Sequence, residues 1–141
     1  MLLTIDVGNT NITMGVFEEE LLSGMFRMTT KRPRTSDEYG MTICGILEHR
    51  SIDPGKIKAV IIASVVPDIM HSLTSGIIKY LHTTPMIVSA DSDTGILVNT
   101  DNPSRTGPDR IVNAVAGYAI SKGPAIVIDF GTATTYDLIG P

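Results

Sequence analysis

Over the first thirty positions, apolar and polar residues alternate with a period of two. Residues 2–7 ("LLTIDV") and 11–18 ("NITMGVFE") read as two strands. The "GNT" between them reads as a tight turn, with Gly8 and Asn9 suited to positive φ. Residues 21–28 ("LLSGMFRM") add a third strand, so the chain opens with an antiparallel meander. After a polar, basic loop the period changes. Thr35 and Glu38 fit a capping box that starts a helix near Ser36, with Tyr39, Ile43, Ile46 and Leu47 as its apolar stripe. The β-branched run "KAVIIASVV" at 58–66 predicts a strand buried on both faces. Pro67 and Asp68 open a second helix that buries Ile69, Leu73, Ile77, Tyr80 and Leu81. "MIVS" at 86–89 is a short strand. Residues 90–108 are rich in Asp, Asn, Thr, Gly and Pro. They predict a long loop, and long loops inside compact domains are usually functional. A third helix follows, with Ile111, Val115 and Tyr118 on one face. A hairpin, "PAIVIDFG" and "TATTYDLIG", closes the chain. The order β-β-β-α-β-α-β predicts an α/β fold, a mixed sheet with helices on its faces.

Composition narrows the function classes. Of 141 residues, 43% are hydrophobic and 18% charged, which argues for a packed core rather than disorder. The net charge of −4 disfavours a non-specific nucleic-acid binder. A single cysteine, Cys44, precludes an intramolecular disulfide and suits a reduced, cytoplasmic location. Asp6 interrupts the first apolar run and no basic segment precedes it, so a secretory signal is not expected. No stretch reaches the roughly 18 apolar residues of a membrane helix, so no membrane partner is expected. Three scattered histidines give no zinc spacing. Cys44 and the seven methionines read as core filler, and Arg27, Lys31, Arg32 and Arg34 as a solvated basic turn.

The chain says one thing twice: "TIDVGNTN" at 4–11 and "VIDFGTAT" at 127–134. Each runs a strand into an aspartate, then into a glycine turn dense in hydroxyl and amide donors. Glycine lets a phosphate approach the backbone, and neighbouring Thr and Asn supply donors. A carboxylate repels phosphate but can hold a cation that bridges to it. Taken singly, each copy is an ordinary hairpin turn with a solvated aspartate. Together they suggest a duplicated phosphate clamp, one half-site per half of the molecule with a cleft between. In the third stretch, "NPSRTGPDR" at 102–110, Pro108 fits the first helical position. Asp109 complements the helix dipole, and standing alone the stretch would be no more than a helix start. Alternatively, the helix N-terminus and Arg110 bind an anionic group while a carboxylate accepts a proton from a hydroxyl nucleophile.

"DVGNT", "NPSRTGPDR" and "DFGTATT", in this order and spacing, resemble type III pantothenate kinase, and "SVVP" at 64–67 is similar too. That family belongs to the actin-like ATPase superfamily, whose members place ATP between two ribonuclease-H-like domains. The resemblance covers Met1 to Pro141 and implies a first ribonuclease-H-like domain over 1–105 and the truncated start of a second over 106–141. It implies a first phosphate loop of Asp6, Val7, Gly8, Asn9, Thr10, Asn11, Ile12 and Thr13, with Asp6 near Mg²⁺. Gly131 and Thr132 would contact ATP in the second loop, and Asp129 would help bind K⁺ or NH₄⁺. Gly107, Pro108, Asp109 and Arg110 would hold pantothenate, with Asp109 as general base. Thr100 stands where many relatives carry a substrate-holding tyrosine. Pro108 stands where the family usually has a small residue, which is compatible with a helix start. The implied activity is ATP-dependent phosphorylation of pantothenate by a homodimer. The alternatives are a regulatory protein that keeps the ATP fold, and a metal-dependent nuclease, which would need more clustered acids. Family members run well beyond 200 residues, so the 141-residue chain is expected to be an N-terminal fragment, inactive alone.

Overall fold

A computed structural model describes residues 1–31 and 33–141; Arg32 of the expected basic turn lies outside the described residues. The chain forms two compact units, Met1–Ile87 and Val88–Pro141. The loop after the short strand at 86–87 therefore groups with the second unit, whereas the resemblance placed a domain boundary at 105/106.

The first unit is a five-stranded mixed sheet with two helices. Its strands are β1 (Leu2–Val7), β2 (Asn11–Glu18), β3 (Leu21–Thr29), β4 (Ala59–Ser64) and β5 (Met86–Ile87), in the order β3-β2-β1-β4-β5. β1–β2 and β2–β3 are antiparallel hairpins; β1–β4 and β4–β5 are parallel. A parallel neighbour needs a crossover, which helix α1 (Ser36–His49) supplies between β3 and β4, and helix α2 (Pro67–Leu81) between β4 and β5. This is the strand order of the ribonuclease-H-like fold. Where Val16 pairs with Gly24 but Phe17 with Leu22, Ser23 is the extra residue of a bulge.

Alternation sorts the faces of the sheet. Leu3, Ile5 and Val7 of β1, Ile12, Met14 and Val16 of β2, and Val60 and Ile62 of β4 are buried in one core. Tyr39, Ile43 and Leu47 of α1 and Ile69, Leu73, Ile77 and Leu81 of α2 join them. Each such side chain contributes about 1.5–3 kcal/mol by leaving water. Asp6 belongs to the opposite phase and is exposed. β4 is shorter than the apolar run suggested, and Ala59 at its start is exposed. Ile46 and Tyr80 are only half-buried. Among the methionines, Met14 and Met28 are buried, but Met25, Met41 and Met86 are exposed, so methionine is not uniformly core filler. Cys44 packs half-buried against the core, and burial pushes its thiol pKa up.

The start of α1 follows its sequence. Thr35 Oγ1 accepts from Glu38 N at 3.2 Å, while Glu38 Oε2 accepts from Thr35 N at 2.7 Å. The two helices then approach closely at two glycines. A Cβ on Gly76 would lie 2.4 Å from the Ser36 carbonyl oxygen, and one on Gly40 would lie 2.1 Å from the Tyr80 ring. At one end of the contact, Asp37 Oδ1 accepts from Lys79 Nζ at 2.5 Å and from the Tyr80 hydroxyl at 3.0 Å. The Lys79 ammonium holds the Asp37 carboxyl below the usual carboxylate range, with help from Tyr80. Within the basic segment, Arg34 lies over the Tyr39 ring, 5.4 Å from its centroid, rather than standing free in solvent.

The second unit is a long loop, helix α3 (Pro108–Ser121), and the hairpin of β6 (Ala125–Phe130) and β7 (Thr134–Ile139). Ile111 is the one buried residue of α3; Val115 is half-buried and Tyr118 exposed, so the expected stripe is covered at its N-terminal end only. α3 lies close on the hairpin, since a Cβ at Gly117 would meet Val127 Cγ2 at 2.5 Å. Two single turns of 3-10 helix, Pro54–Lys56 and Pro103–Arg105, were not anticipated. The first has a local signal in "DPG": Asp53 Oδ1 accepts from Gly55 N at 2.9 Å.

Three glycines give a direct test of the helix contact. Gly76→Ala should lower unfolding free energy by about 1–3 kcal/mol, because the Ser36 backbone cannot step aside. Gly40→Ala should also destabilise. Gly45→Ala has nothing within 4 Å and should stabilise by about 0.5–1 kcal/mol. Urea unfolding midpoints measure all three; an equal effect at Gly76 and Gly45 would refute the close approach.

Candidate functional site

The first candidate loop sits at the C-terminal end of β1, the central strand. Asp6 pairs with Thr13 of β2 on one side and Ala63 of β4 on the other, so its position is fixed by two ladders. The chain then turns, and Gly8 N donates to Asn11 O at 2.9 Å. Neither Gly8 nor Asn9 uses positive φ, contrary to the expectation; among the described glycines only Gly95 does. Glycine suits position 8 for a different reason, since a Cβ there would lie 3.2 Å from Asn11 O, a tight contact. Protein donors occupy the turn's carbonyls. Thr30 Oγ1 donates to Gly8 O at 2.7 Å, Thr30 N to Thr10 O at 2.9 Å, and Val65 N to Val7 O at 3.1 Å. Asn9 and Thr10 are exposed, and Asn11 and Thr13 are half-buried. Val7 and Ile12 have fully buried side chains, so they anchor the loop and only their backbone could meet a ligand.

The second candidate loop belongs to the other unit. Asp129 pairs with Thr135 and Phe130 with Thr134, and Gly131 N donates to Ala133 O at 3.2 Å across the turn. Gly131 and Thr132 are exposed. Asp129 is half-buried, and its Oδ2 accepts from Asn113 Nδ2 at 3.4 Å, which ties the strand to α3.

At the start of α3, Gly107 is the N-cap without a side-chain capping bond, and Pro108 is the first helical residue. Asp109 Oδ1 accepts from Arg110 N at 2.9 Å, so this carboxylate sits among the helix's leading N–H groups. Arg110 is not a free surface residue. Its Nε donates to Asp137 Oδ1 at 2.6 Å, its Nη2 contacts the same oxygen, and Nη2 also donates to Tyr136 O at 3.1 Å. Thr100 and Thr106 face each other with hydroxyls 3.2 Å apart. A cavity of about 500 Å³ is lined by residues that include Leu97, Thr100, Thr106, Arg110, Tyr118 and Asp137. It thus gathers Thr100 and Arg110 but not Gly107, Pro108 or Asp109.

Sequence reasoning missed Thr30, Asn113 and Asp137. Only Asp137 left a signal: a charge at an inward-facing register of an otherwise apolar and hydroxylic strand. Among the described residues no three His, Cys, Asp or Glu side chains cluster to hold a metal by themselves. Asp6 and Asp129 each offer hard carboxylate oxygens, a chemistry that suits Mg²⁺ or K⁺ shared with a ligand's own oxygens. No helix among the described residues is long and apolar enough to cross a membrane.

Two solved structures share this fold. One is a putative N-acetylglucosamine kinase from Porphyromonas gingivalis, with TM-score 0.56 and 17% identity over 99% of this chain and 44% of that one. The other is a putative 2-dehydro-3-deoxygalactonokinase from Sinorhizobium meliloti, with TM-score 0.56 and 12% identity over 100% of this chain and 50% of that one. These likenesses show the fold, a mixed sheet with helices on its faces. Sequence defines it further. The model of the type III pantothenate kinase family matches residues 2–141. The chain is 55% identical over 139 residues to a type III pantothenate kinase of Agathobacter rectalis, covering 99% of this chain and 54% of that protein. It is 48% identical over 139 residues to that of Halalkalibacterium halodurans, covering 99% and 55%. It is 49% identical over 136 residues to that of Listeria welshimeri, covering 96% and 52%. The chain belongs to the type III pantothenate kinase family, and it spans about half the length of the curated relatives it matches.

The first loop's internal bonds can be tested without any ligand. Thr30→Val should cost about 0.5–1.5 kcal/mol of stability by removing the hydroxyl bond to Gly8 O. Amide exchange at Gly8 should quicken; an unchanged exchange rate would mean that Thr30 does not hold the turn.

Proposed function

We propose that the full-length protein transfers the γ-phosphoryl group of ATP to the primary hydroxyl of pantothenate, giving 4′-phosphopantothenate and ADP, the first step of coenzyme A biosynthesis. The observation that carries this reading is the family match across residues 2–141.

In this reading the pantothenate hydroxyl oxygen bonds to the γ-phosphorus as the bond from that phosphorus to the β–γ bridging oxygen breaks. The hydroxyl proton passes to the Asp109 carboxylate. ADP leaves with the electron pair of the broken bond. The first loop, Asp6 to Thr13, presents backbone N–H groups and the Asn9 and Thr10 side chains to phosphate oxygens. Gly131 and Thr132 do the same from the second hairpin. Asp6 would hold Mg²⁺ and Asp129 the monovalent cation, K⁺ or NH₄⁺; bound there, they neutralise phosphate charge. Gly107, Pro108, Arg110 and Thr100 form the pantothenate side of the site. The working form is a cytoplasmic homodimer.

Two variants and one assay test this. ADP release by the full-length protein should depend on pantothenate. Gly8→Val should weaken ATP binding in calorimetry while the protein stays folded, because a side chain at that turn meets Asn11 O and blocks phosphate. Asp109→Asn keeps the shape and can still accept the Arg110 N–H, so a helix-capping role would cost at most roughly 1 kcal/mol of stability. As general base, its loss should lower kcat at least about a hundredfold with little change in ATP affinity. More than a tenth of wild-type kcat in Asp109→Asn would remove it from the mechanism.

A further inference from the structure

We propose that Asp137 is a positioning residue: it holds the Arg110 guanidinium on the wall of the cavity of the second unit, ready for an anionic group of a ligand. The inference rests on the kinase reading above, and it assigns a task to a residue that no motif singled out.

The geometry carries it. Asp137 sits on β7, with its side chain only 11% exposed, whereas that of Arg110 is 40% exposed. A carboxylate so far from water needs a cationic partner, and Arg110 is the one it has. The contact is not the symmetric fork in which two nitrogens meet two oxygens. Nε and Nη2 both meet Oδ1, and Asp137 Oδ2 is buried with no hydrogen-bond partner among the described residues. Tyr136 O takes Nη2 as well. The Nε–Nη2 edge of the guanidinium is thus fixed to the hairpin, while Arg110 still lines the cavity. Thr100 and Thr106, with hydroxyls 3.2 Å apart, line the same cavity. A bond that served only to tie α3 to β7 would gain most from the two-oxygen fork. Here the acid is buried and the base is left part-exposed beside a cavity. An orienting acid behind an arginine restricts its rotamers, so less entropy is lost when the anion binds.

The anion is either the carboxylate of the pantothenate-like substrate or a phosphate of ATP, and the kinetics separate them. The full-length protein is compared with Asp137→Asn, Arg110→Gln and the double variant. Asp137→Asn is expected to raise the KM for one substrate at least about tenfold, with kcat within about threefold. A rise for pantothenate names the carboxylate; a rise for ATP names the phosphate. In the Arg110→Gln background the same change should alter that KM less than about twofold, because Asp137 acts through Arg110. Asp137→Glu should recover part of the loss. Equal effects of Asp137→Asn in both backgrounds, or unchanged KM values with a lower melting temperature, overturn the proposal. If Asp137→Asn does not fold, Asp137→Glu decides alone: a raised KM supports positioning and an unaltered one refutes it. Absence of turnover in the wild type overturns the function reading by itself. Calorimetric titration of wild type and Asp137→Asn with ATP and with pantothenate then judges Asp137, and binding of neither ligand by the wild type overturns both.

Discussion

The parallel pairing of β1 with β4 is the constraint on which the first unit depends. It places the ends of both strands on one side of the sheet, and Val65 N reaches Val7 O there. Two turns are thereby brought together: the glycine turn after β1 and the turn that leads from β4 into Pro67 and α2. Ser64 Oγ accepts from Val66 N in the second of these, which shapes the backbone just before the helix. In α/β sheets the carboxyl ends of parallel strands are where ligands bind, because loops there are free of the sheet yet anchored by it. Asp6 owes its position to this arrangement. It stands on a strand held from both sides, one residue from a side chain with no exposure at all.

The two aspartate-glycine hairpins use one local pattern in different settings. The first has a five-stranded sheet and two helices behind it, and its Val7 and Ile12 are buried. The second leans on α3 alone within its unit. Ile126, Ile128, Phe130, Tyr136 and Leu138 on its other face are exposed. What stiffens the second hairpin is polar: Asn113 to Asp129, and Arg110 to Asp137 and Tyr136. The bonds to Asp129 and Asp137 run from one turn of α3 to inward positions of β6 and β7. The start of that helix and the second turn are thus parts of a single bonded piece.

What the sequence made legible follows the range of each interaction. Thr35 and Glu38 are three residues apart, so their reciprocal capping could be read directly, and so could Pro67 at the start of α2. The strand alternation of 2–29 gave both hairpins, because period and turn are local. The expected positive φ at Gly8 and Asn9 failed because the same turn residues serve several turn geometries. Thr30 holding Gly8, and Arg110 holding Asp137, join residues 22 and 27 positions apart, and spacing alone says nothing of them. Methionine burial was misjudged for Met25 and Met41 because a flexible apolar side chain suits an open face as well as a core. The motif residues themselves were recognisable as a set. What each one touches was not, and Arg110 shows the difference most clearly.

The register of the sheet also has a consequence in time. Leu2 lies opposite Ala59, so the first strand of the chain waits for a strand that begins 57 residues later. The meander of β1, β2 and β3 closes over short turns, while the central edge of β1 has no partner until α1 and β4 have been made. Loop closure over that span is slow compared with hairpin formation. During synthesis the nascent chain therefore presents an unpaired edge and a bare apolar face made of Leu3, Ile5, Val7, Ile12 and Met14. It is covered only when the crossover is complete and the second helix seats its Gly76 against Ser36. The residues that bring Asp6 to the end of a rigid strand are the same ones that a ribosome-bound intermediate must shield from its neighbours.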